Sequence, residues 1–207
     1  MKNIILYGAP AAGKGTACEM LVSKYGYNHI STGDLFRSLD DSSVLGKIIK
    51  EIIAKGNLVD DKTTNELVKS KLDTLAGLVV LDGFPRNLEQ AKMLDEYFSD
   101  YVVVNIDIDY EEAMKRALGR MNCPKCGKGY NKFNPDMLPK NSNLCDNCNV
   151  ELTHRLDDNE ESFRKRFEIY NNNVKDVLDY YKQKNILYIV KSVNADDTFK
   201  SIEGVIN

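Results

Sequence analysis

Short, unbroken apolar runs alternate along this chain with stretches in which apolar side chains recur at helical spacing. Ile4-Ile5-Leu6-Tyr7, Leu78 to Leu81, Tyr101 to Ile106 and Ile186 to Val190 are continuous rather than alternating, as strands covered on both faces should be. Tyr27-Asn28-His29-Ile30 is shorter and predicts a fifth strand. Between them lie helical patterns: Ala17, Met20, Leu21 and Tyr25; Val44, Leu45, Ile48, Ile49, Ile52 and Ile53; Ala91, Leu94, Tyr97 and Phe98; then Phe199, Ile202 and Val205. Further helices are predicted from Asp60-Asp61 to about Leu72, from Tyr110 to about Arg120, and over residues 159–184. Ser31 and Thr32 are placed as helix N-caps, and Lys55-Gly56-Asn57 ends its helix as a C-cap should. Strands alternating with helices imply a parallel sheet with right-handed crossovers. No repeat or low-complexity segment interrupts the pattern.

At 207 residues the chain can bury one substantial core with room for small insertions. A net charge of −3 argues against a general nucleic-acid or membrane-surface binder, so any phosphate site must gather its cations locally. No apolar run is long enough to span a membrane. The apolar N-terminal run is too short for a secretory signal, which leaves the cytosol as the expected compartment. Only seven of the 28 basic residues are arginine: Arg37, Arg86, Arg116, Arg120, Arg155, Arg164 and Arg166. In so lysine-rich a chain, arginine should stand where a planar, bidentate, permanent cation is needed. These residues are therefore candidate phosphate ligands, set against surface scatter for one or two of them. Arg116 and Arg120, four residues apart, are expected on one helix face.

The first strand runs into Gly8-Ala-Pro-Ala-Ala-Gly-Lys-Gly-Thr16, a glycine-bearing loop followed by a helix. That context makes a phosphate loop credible: backbone N–H groups and the helix start converge on one anion, and Lys14 reaches the outer phosphates. Gly15 occupies the place where such loops usually carry a magnesium-binding hydroxyl, with Thr16 one position later. Asp82, at the carboxyl end of the third strand, is placed where open α/β sheets bind ligands and would hold the waters of Mg²⁺ instead. Arg86, just beyond in Asp82-Gly-Phe-Pro-Arg86, would reach a phosphate. Ser31 to Arg37 reads as a second anion site, and His29 as a partly buried structural residue.

Cys123-Pro-Lys-Cys126 and Cys145-Asp-Asn-Cys148 are two knuckles whose spacing points to a closed four-thiolate zinc site, structural because no position stays open. Disulfides are the competing reading, disfavoured in a reducing compartment. Cys18 is expected to be a small buried residue, and His154 stands outside the metal set.

Together these residues resemble the adenylate kinases, nucleoside monophosphate kinases, in the long form with a zinc-stapled lid. The likeness extends over nearly the whole chain. It implies a P-loop NTPase-type α/β fold, a five-stranded parallel sheet flanked by helices. The core would be 1–30, 61–120 and 157–207, with a helical monophosphate-binding insertion at 31–60 and a small β lid at 121–156. By the same resemblance Ala11, Ala12, Gly13, Lys14, Gly15 and Thr16 bind ATP phosphates, while Arg116, Gly129, Tyr130 and Asp197 lie along the rest of ATP. AMP would meet Thr32, Arg37, Asn57, Leu58, Val59, Gly83, Phe84, Pro85, Arg86 and Gln90. Arg120, Arg155 and Arg166 would clamp the transferring group, and Asp157 and Asp158 form the acidic pair behind the lid. Arg164 alone has no family role. The implied reaction is Mg·ATP + AMP ⇌ 2 ADP in a monomer, with Zn²⁺ structural. Two departures stand out: Ala11 replaces the usual glycine, and Asn134 to Pro139 lacks the usual double proline. A kinase of UMP or CMP is the nearer alternative, opposed by Thr32 and Gln90. A zinc-ribbon nucleic-acid binder using ATP as a switch is the more distant one. Pro124, Lys125 and Lys128 permit it, but the chain has no basic stripe.

Overall fold

The structure, a computed structural model, describes residues 1–40 and 42–206. In chain order β1 (Asn3–Gly8), α1 (Lys14–Tyr25) and β2 (Asn28–Ser31) are followed by α2 (Thr32–Arg37), α3 (Val44–Ala54) and α4 (Asp61–Leu72). Then come β3 (Val79–Asp82), α5 (Leu88–Tyr97), β4 (Tyr101–Asp107) and α6 (Tyr110–Gly119). The small hairpin of β5 (Arg120–Asn122) and β6 (Gly129–Asn131) precedes α7 (Glu160–Gln183), β7 (Leu187–Lys191) and α8 (Ala195–Ile206).

Five strands form one parallel sheet in the order β2-β3-β1-β4-β7. Because side chains alternate across a strand, the unbroken apolar run of β1 feeds both layers. Ile4 and Leu6 join Cys18 and Leu21 of α1 and Phe199 and Ile202 of α8. Ile5 and Tyr7 face the other way, onto Val68 of α4, Leu94 of α5, and Val177 and Tyr181 of α7. The five strands of this sheet and the eight helices expected from the apolar pattern are all present among the described residues, with ends moved by a residue or so, and β5 and β6 form a separate hairpin.

Local chemistry starts and stops the helices. Ser31, Ser43, Asp60, Asn87 and Asn159 each accept a backbone N–H bond as N-cap. Gly56, at φ 73°, lets the chain leave α3. One expectation fails here. The helix through Arg116 ends at Gly119, so Arg120 begins β5 and does not share a helix face with Arg116. The cause is tertiary: Asn131 donates to the Arg116 carbonyl, and a side chain at 119 would collide with Asn131 Oδ1 and Phe133.

β1 and β3 are neighbours, yet the chain leaves them in opposite directions, from β1 to the far edge at β2 and from β3 to β4. A crevice at the carboxyl ends of such a pair is where an open α/β sheet binds ligands. Gly8 closes β1 at φ 141°, and a Cβ there would sit 2.5 Å from the Ile106 carbonyl oxygen, which the β1–β4 pairing holds in place. Gly8→Ala is therefore expected to cost at least about 2 kcal/mol, lowering Tm by roughly 4 °C or more. A calorimetric melt matching the wild type would contradict this.

Candidate functional site

The crevice opens into a cleft of about 1260 Å³, larger than the roughly 300–1,000 Å³ of a single-ligand pocket. Its floor is the loop between β1 and α1. Gly13, the residue before α1, sits at φ 100°, and no acidic residue occupies the first turn of α1, so its positive end is left for an anion. Ala11, where a glycine would be at ease, holds φ 61°. Its methyl packs against the cluster of Ala113, Ala117 and Phe163.

Lys14 turns its ammonium back onto the loop, donating to the carbonyls of Gly8 at 3.0 Å and Ala9 at 2.8 Å. Burial pulls its pKa down to about 8; Asp82 opposes that shift, while Arg86 and Arg166 add to it. Gly15 faces Asp82: a side chain at 15 would lie 3.8 Å from Asp82 Oδ2. The carboxylate is therefore open towards the loop, a hard oxygen donor suited to the water shell of Mg²⁺.

Six of the seven arginines line this cleft: Arg37, Arg86, Arg116, Arg120, Arg155 and Arg166. Carboxylates hold most of them. Arg120 pairs with Asp158, whose side chain is fully buried. Burial alone would lower the Arg120 pKa, but the Asp158 bond and charge outweigh it and raise it. Arg166 pairs with Asp157 at 2.6 Å. Burial would raise the Asp157 pKa, but Arg166, Arg37 and Arg120 bring it below the usual carboxylate range. Arg37 meets Asp34 at 2.7 Å, with Arg155 4.0 Å from the same carboxylate. Arg86 has no such partner among the described residues. Its Nε donates to the Gly83 carbonyl at 2.8 Å. Burial and the neighbouring Arg166 bring its pKa down to about 10. Burial and the Arg120 and Arg37 charges do the same for Arg155, also to about 10. The cleft is thus charged beyond what its own acids balance. Arg164 is exposed and pairs with Glu160 outside the cleft.

Of the other sequence candidates, Ala11 to Thr16, Asn57, Leu58, Gly83, Pro85, Gly129 and Tyr130 lie on the cleft wall, as do Asp82 and Asp157. Thr32, Val59, Phe84 and Gln90 are buried behind it. Thr32 donates to the Gly83 carbonyl at 2.8 Å. Gln90 accepts from the Arg86 N–H at 2.8 Å and donates to Asp61 at 2.7 Å, so both brace the turn that carries Arg86. Asp197 is exposed and bonds Asn194 in capping α8, while Asn194, Ala195 and Thr198 reach the wall.

Sequence reasoning missed the braces. Asp34 and Glu112 each sit one helical turn before the arginine they hold, a spacing that was legible. Ser192 was not. It donates to the Ala12 carbonyl at 2.9 Å and accepts from Arg116 Nη1 at 2.7 Å, joining the phosphate loop to a helix far along the chain.

Beyond β5, the four cysteines are unpaired as disulfides, and their Sγ atoms lie within 4.8 Å of one another. Gly127 and Asn149 turn the two knuckles at φ 75° and 53°, and their N–H groups bond the Cys123 and Cys145 carbonyls. Tyr130 donates its hydroxyl to Cys145 Sγ at 3.5 Å. Four converging thiols with supporting hydrogen bonds fit a closed tetrahedral metal site.

A phosphate loop at the switch point of a parallel sheet, beneath a crowd of guanidinium groups, defines a P-loop phosphotransferase. The adenylate kinase family model matches residues 6–186. Curated adenylate kinases are similar along nearly the whole chain. That of Thermoanaerobacter sp. strain X514 is 42% identical over 98% of this chain and 94% of its own length. That of Thermosipho africanus is 40% identical over 99% of both, and that of Petrotoga mobilis 38% over 99% and 97%. The chain belongs to the adenylate kinase family.

Two predictions follow the loop. In Ala11→Gly, about 1–2 kcal/mol of left-handed strain disappears. Against it stand about 0.8 kcal/mol of methyl burial and roughly 0.5–1 kcal/mol of added chain entropy. The melting temperature should stay within about 3 °C; a larger shift either way would show the balance to be wrong. For Lys14, phosphate favours the ammonium, so triphosphate binding should take up a proton above about pH 8 and weaken as pH rises through that value. Calorimetry in buffers of differing ionisation enthalpy reads the uptake, and Lys14→Arg should remove it.

Proposed function

We propose that the chain transfers the γ-phosphoryl group of Mg·ATP reversibly to AMP, giving two ADP. The observation that carries this reading is the gathering of Lys14 and six arginines around a single cleft large enough for two nucleotides. Phosphoryl transfer needs positioning and charge neutralisation more than covalent chemistry. Lys14 and the N–H groups of Ala11 to Thr16 would hold the donor phosphates. Arg37 and Arg86 would hold the acceptor phosphate, with its base towards Thr32, Gln90 and the Asn57–Val59 segment. Arg120, Arg155 and Arg166 would leave their carboxylates for the equatorial oxygens of the transferring group. Arg116, Gly129, Tyr130 and the start of α8 near Asp197 would lie along the donor nucleoside.

Asp82 would hold the water shell of Mg²⁺, and the ion would supply further neutralisation of the phosphate oxygens. The acceptor oxygen attacks in line, with no covalent enzyme intermediate. Residues 31–60 and 121–156 serve as flap and lid, closing over the nucleotides so that water is excluded as an acceptor. Cys123, Cys126, Cys145 and Cys148 hold a structural zinc that stabilises the lid. A cytoplasmic monomer fits this role. No helix of the described residues is long and apolar enough to cross a membrane.

Nothing in the fold or the relatives favours a UMP or CMP kinase. A coupled assay comparing AMP, CMP, UMP and GMP at equal concentration should show ADP formation fastest with AMP. Prior chelation under mild denaturant should lower both activity and the temperature at which the lid melts. Equal rates with a pyrimidine acceptor would reject the assignment. Arg86→Lys keeps the charge but loses the planar fork; turnover should drop about 10²–10³-fold while Tm stays within a few degrees. Near-normal turnover in a natively stable variant would remove Arg86 from the mechanism.

A further inference from the structure

Behind the phosphate loop, three side chains bring metal-binding atoms together that the proposed reaction leaves mostly idle. Cys18 comes from α1, His29 from β2 and Asp82 from the end of β3. The thiol sulfur, one imidazole nitrogen and one carboxylate oxygen all lie within 4.8 Å of one another. Their positions are held by the core. Cys18 is fully buried, and β2 pairs with β3 with His29 opposite Val80 and Ser31 opposite Asp82. His29 Nε2 is buried and has no hydrogen-bond partner, which is unusual for a ring nitrogen away from water. His29 and Asp82 reach the cleft wall, and Cys18 stands behind them.

We propose that Cys18, His29 and Asp82 form a second, exchangeable site for a zinc-class cation, separate from the four-cysteine lid, with its fourth coordination position open to the cleft. Thiolate, imidazole and carboxylate are the donor set of zinc and its analogues, and three protein ligands with one open position is a common arrangement for such ions. Magnesium takes oxygen ligands, so it uses Asp82 but neither Cys18 nor His29. Metal–ligand bonds of about 2.0–2.3 Å require the three side chains to draw together by something on the order of an ångström. Cys18 enters as a thiol: the sulfur–metal bond forms as the S–H bond breaks, and one proton leaves to solvent. Lys14, a cation of the neighbouring loop, already points its ammonium at the Gly8 and Ala9 carbonyls.

An ion bound there takes Asp82 from the magnesium waters and intrudes where the donor phosphates end. Zinc-class ions therefore inhibit in competition with Mg·ATP. This consequence rests on the proposed function, whereas occupancy of the site does not.

The test uses the full chain with its lid loaded with zinc and no nucleotide, titrated with Co²⁺. One further Co²⁺ per chain should bind, with a thiolate-to-cobalt charge-transfer band. Cys18→Ala should abolish that band, and His29→Gln should weaken binding at least about tenfold. In turnover assays, the zinc concentration giving half inhibition should rise by at least about tenfold in both variants, with turnover in the absence of added zinc unchanged. If no cobalt binds beyond the lid, or the band persists in Cys18→Ala, the site is refuted. Zinc inhibition unaltered by either variant refutes it too. Cobalt binding that depends on Cys18, in a protein that transfers no phosphoryl group, would uphold the site and overturn the functional reading.

Discussion

Lys14 and six arginines around one cleft repel each other, and the repulsion grows as water is removed. The structure offsets it with a few carboxylates at fixed places: Asp34, Asp82, Asp157 and Asp158. Two of these, Asp157 and Asp158, lie just before α7 and hold Arg166 and Arg120. Arg120 is the first residue of the β5–β6 hairpin, so the same ion pairs that quiet the cleft also tie the root of the cysteine-bearing segment to the start of α7. Arg86 and Arg155 carry what remains: burial, with the Arg166, Arg120 and Arg37 charges behind it, lowers their pKa values. A polyphosphate would supply the negative charge that the cleft's own acids leave unmatched.

The segment that carries the four cysteines answers a different constraint. Its buried cluster is Met121, Cys123, Tyr130, Cys145 and Leu152, too few side chains to hold an independent core. Two of those five are cysteines, so the sulfur atoms are both packing and ligands. The knuckle turns, the Tyr130 hydroxyl and the bridge from Asn122 to Thr153 orient them.

Asp82 is where several demands cross. It ends β3, an interior strand next to the sheet edge, lies opposite Gly15, and shares a small space with Cys18 and His29. The glycine at 15 leaves the carboxylate room, and that same room is what lets a softer ligand set come within reach of it.

The strands, the helices, the phosphate loop and the two cysteine knuckles were legible along the chain. Each depends on residues close in sequence: apolar runs, caps, glycines and short spacings. The gathering of the arginines was legible for a similar reason, since a rare residue in a lysine-rich chain carries its own signal, and six of the seven line one cleft. Pairings between distant segments were not legible. Arg120 with Asp158, Ser192 between Ala12 and Arg116, and Cys18 beside His29 and Asp82 exist only because the strand order brings α1, β2, β3, α6 and the start of α8 to one end of the sheet. Even the end of α6 at Gly119 was decided by Asn131 folding back from β6. Local pattern carries no record of which element will lie opposite, and that opposition is a property of the packed sheet.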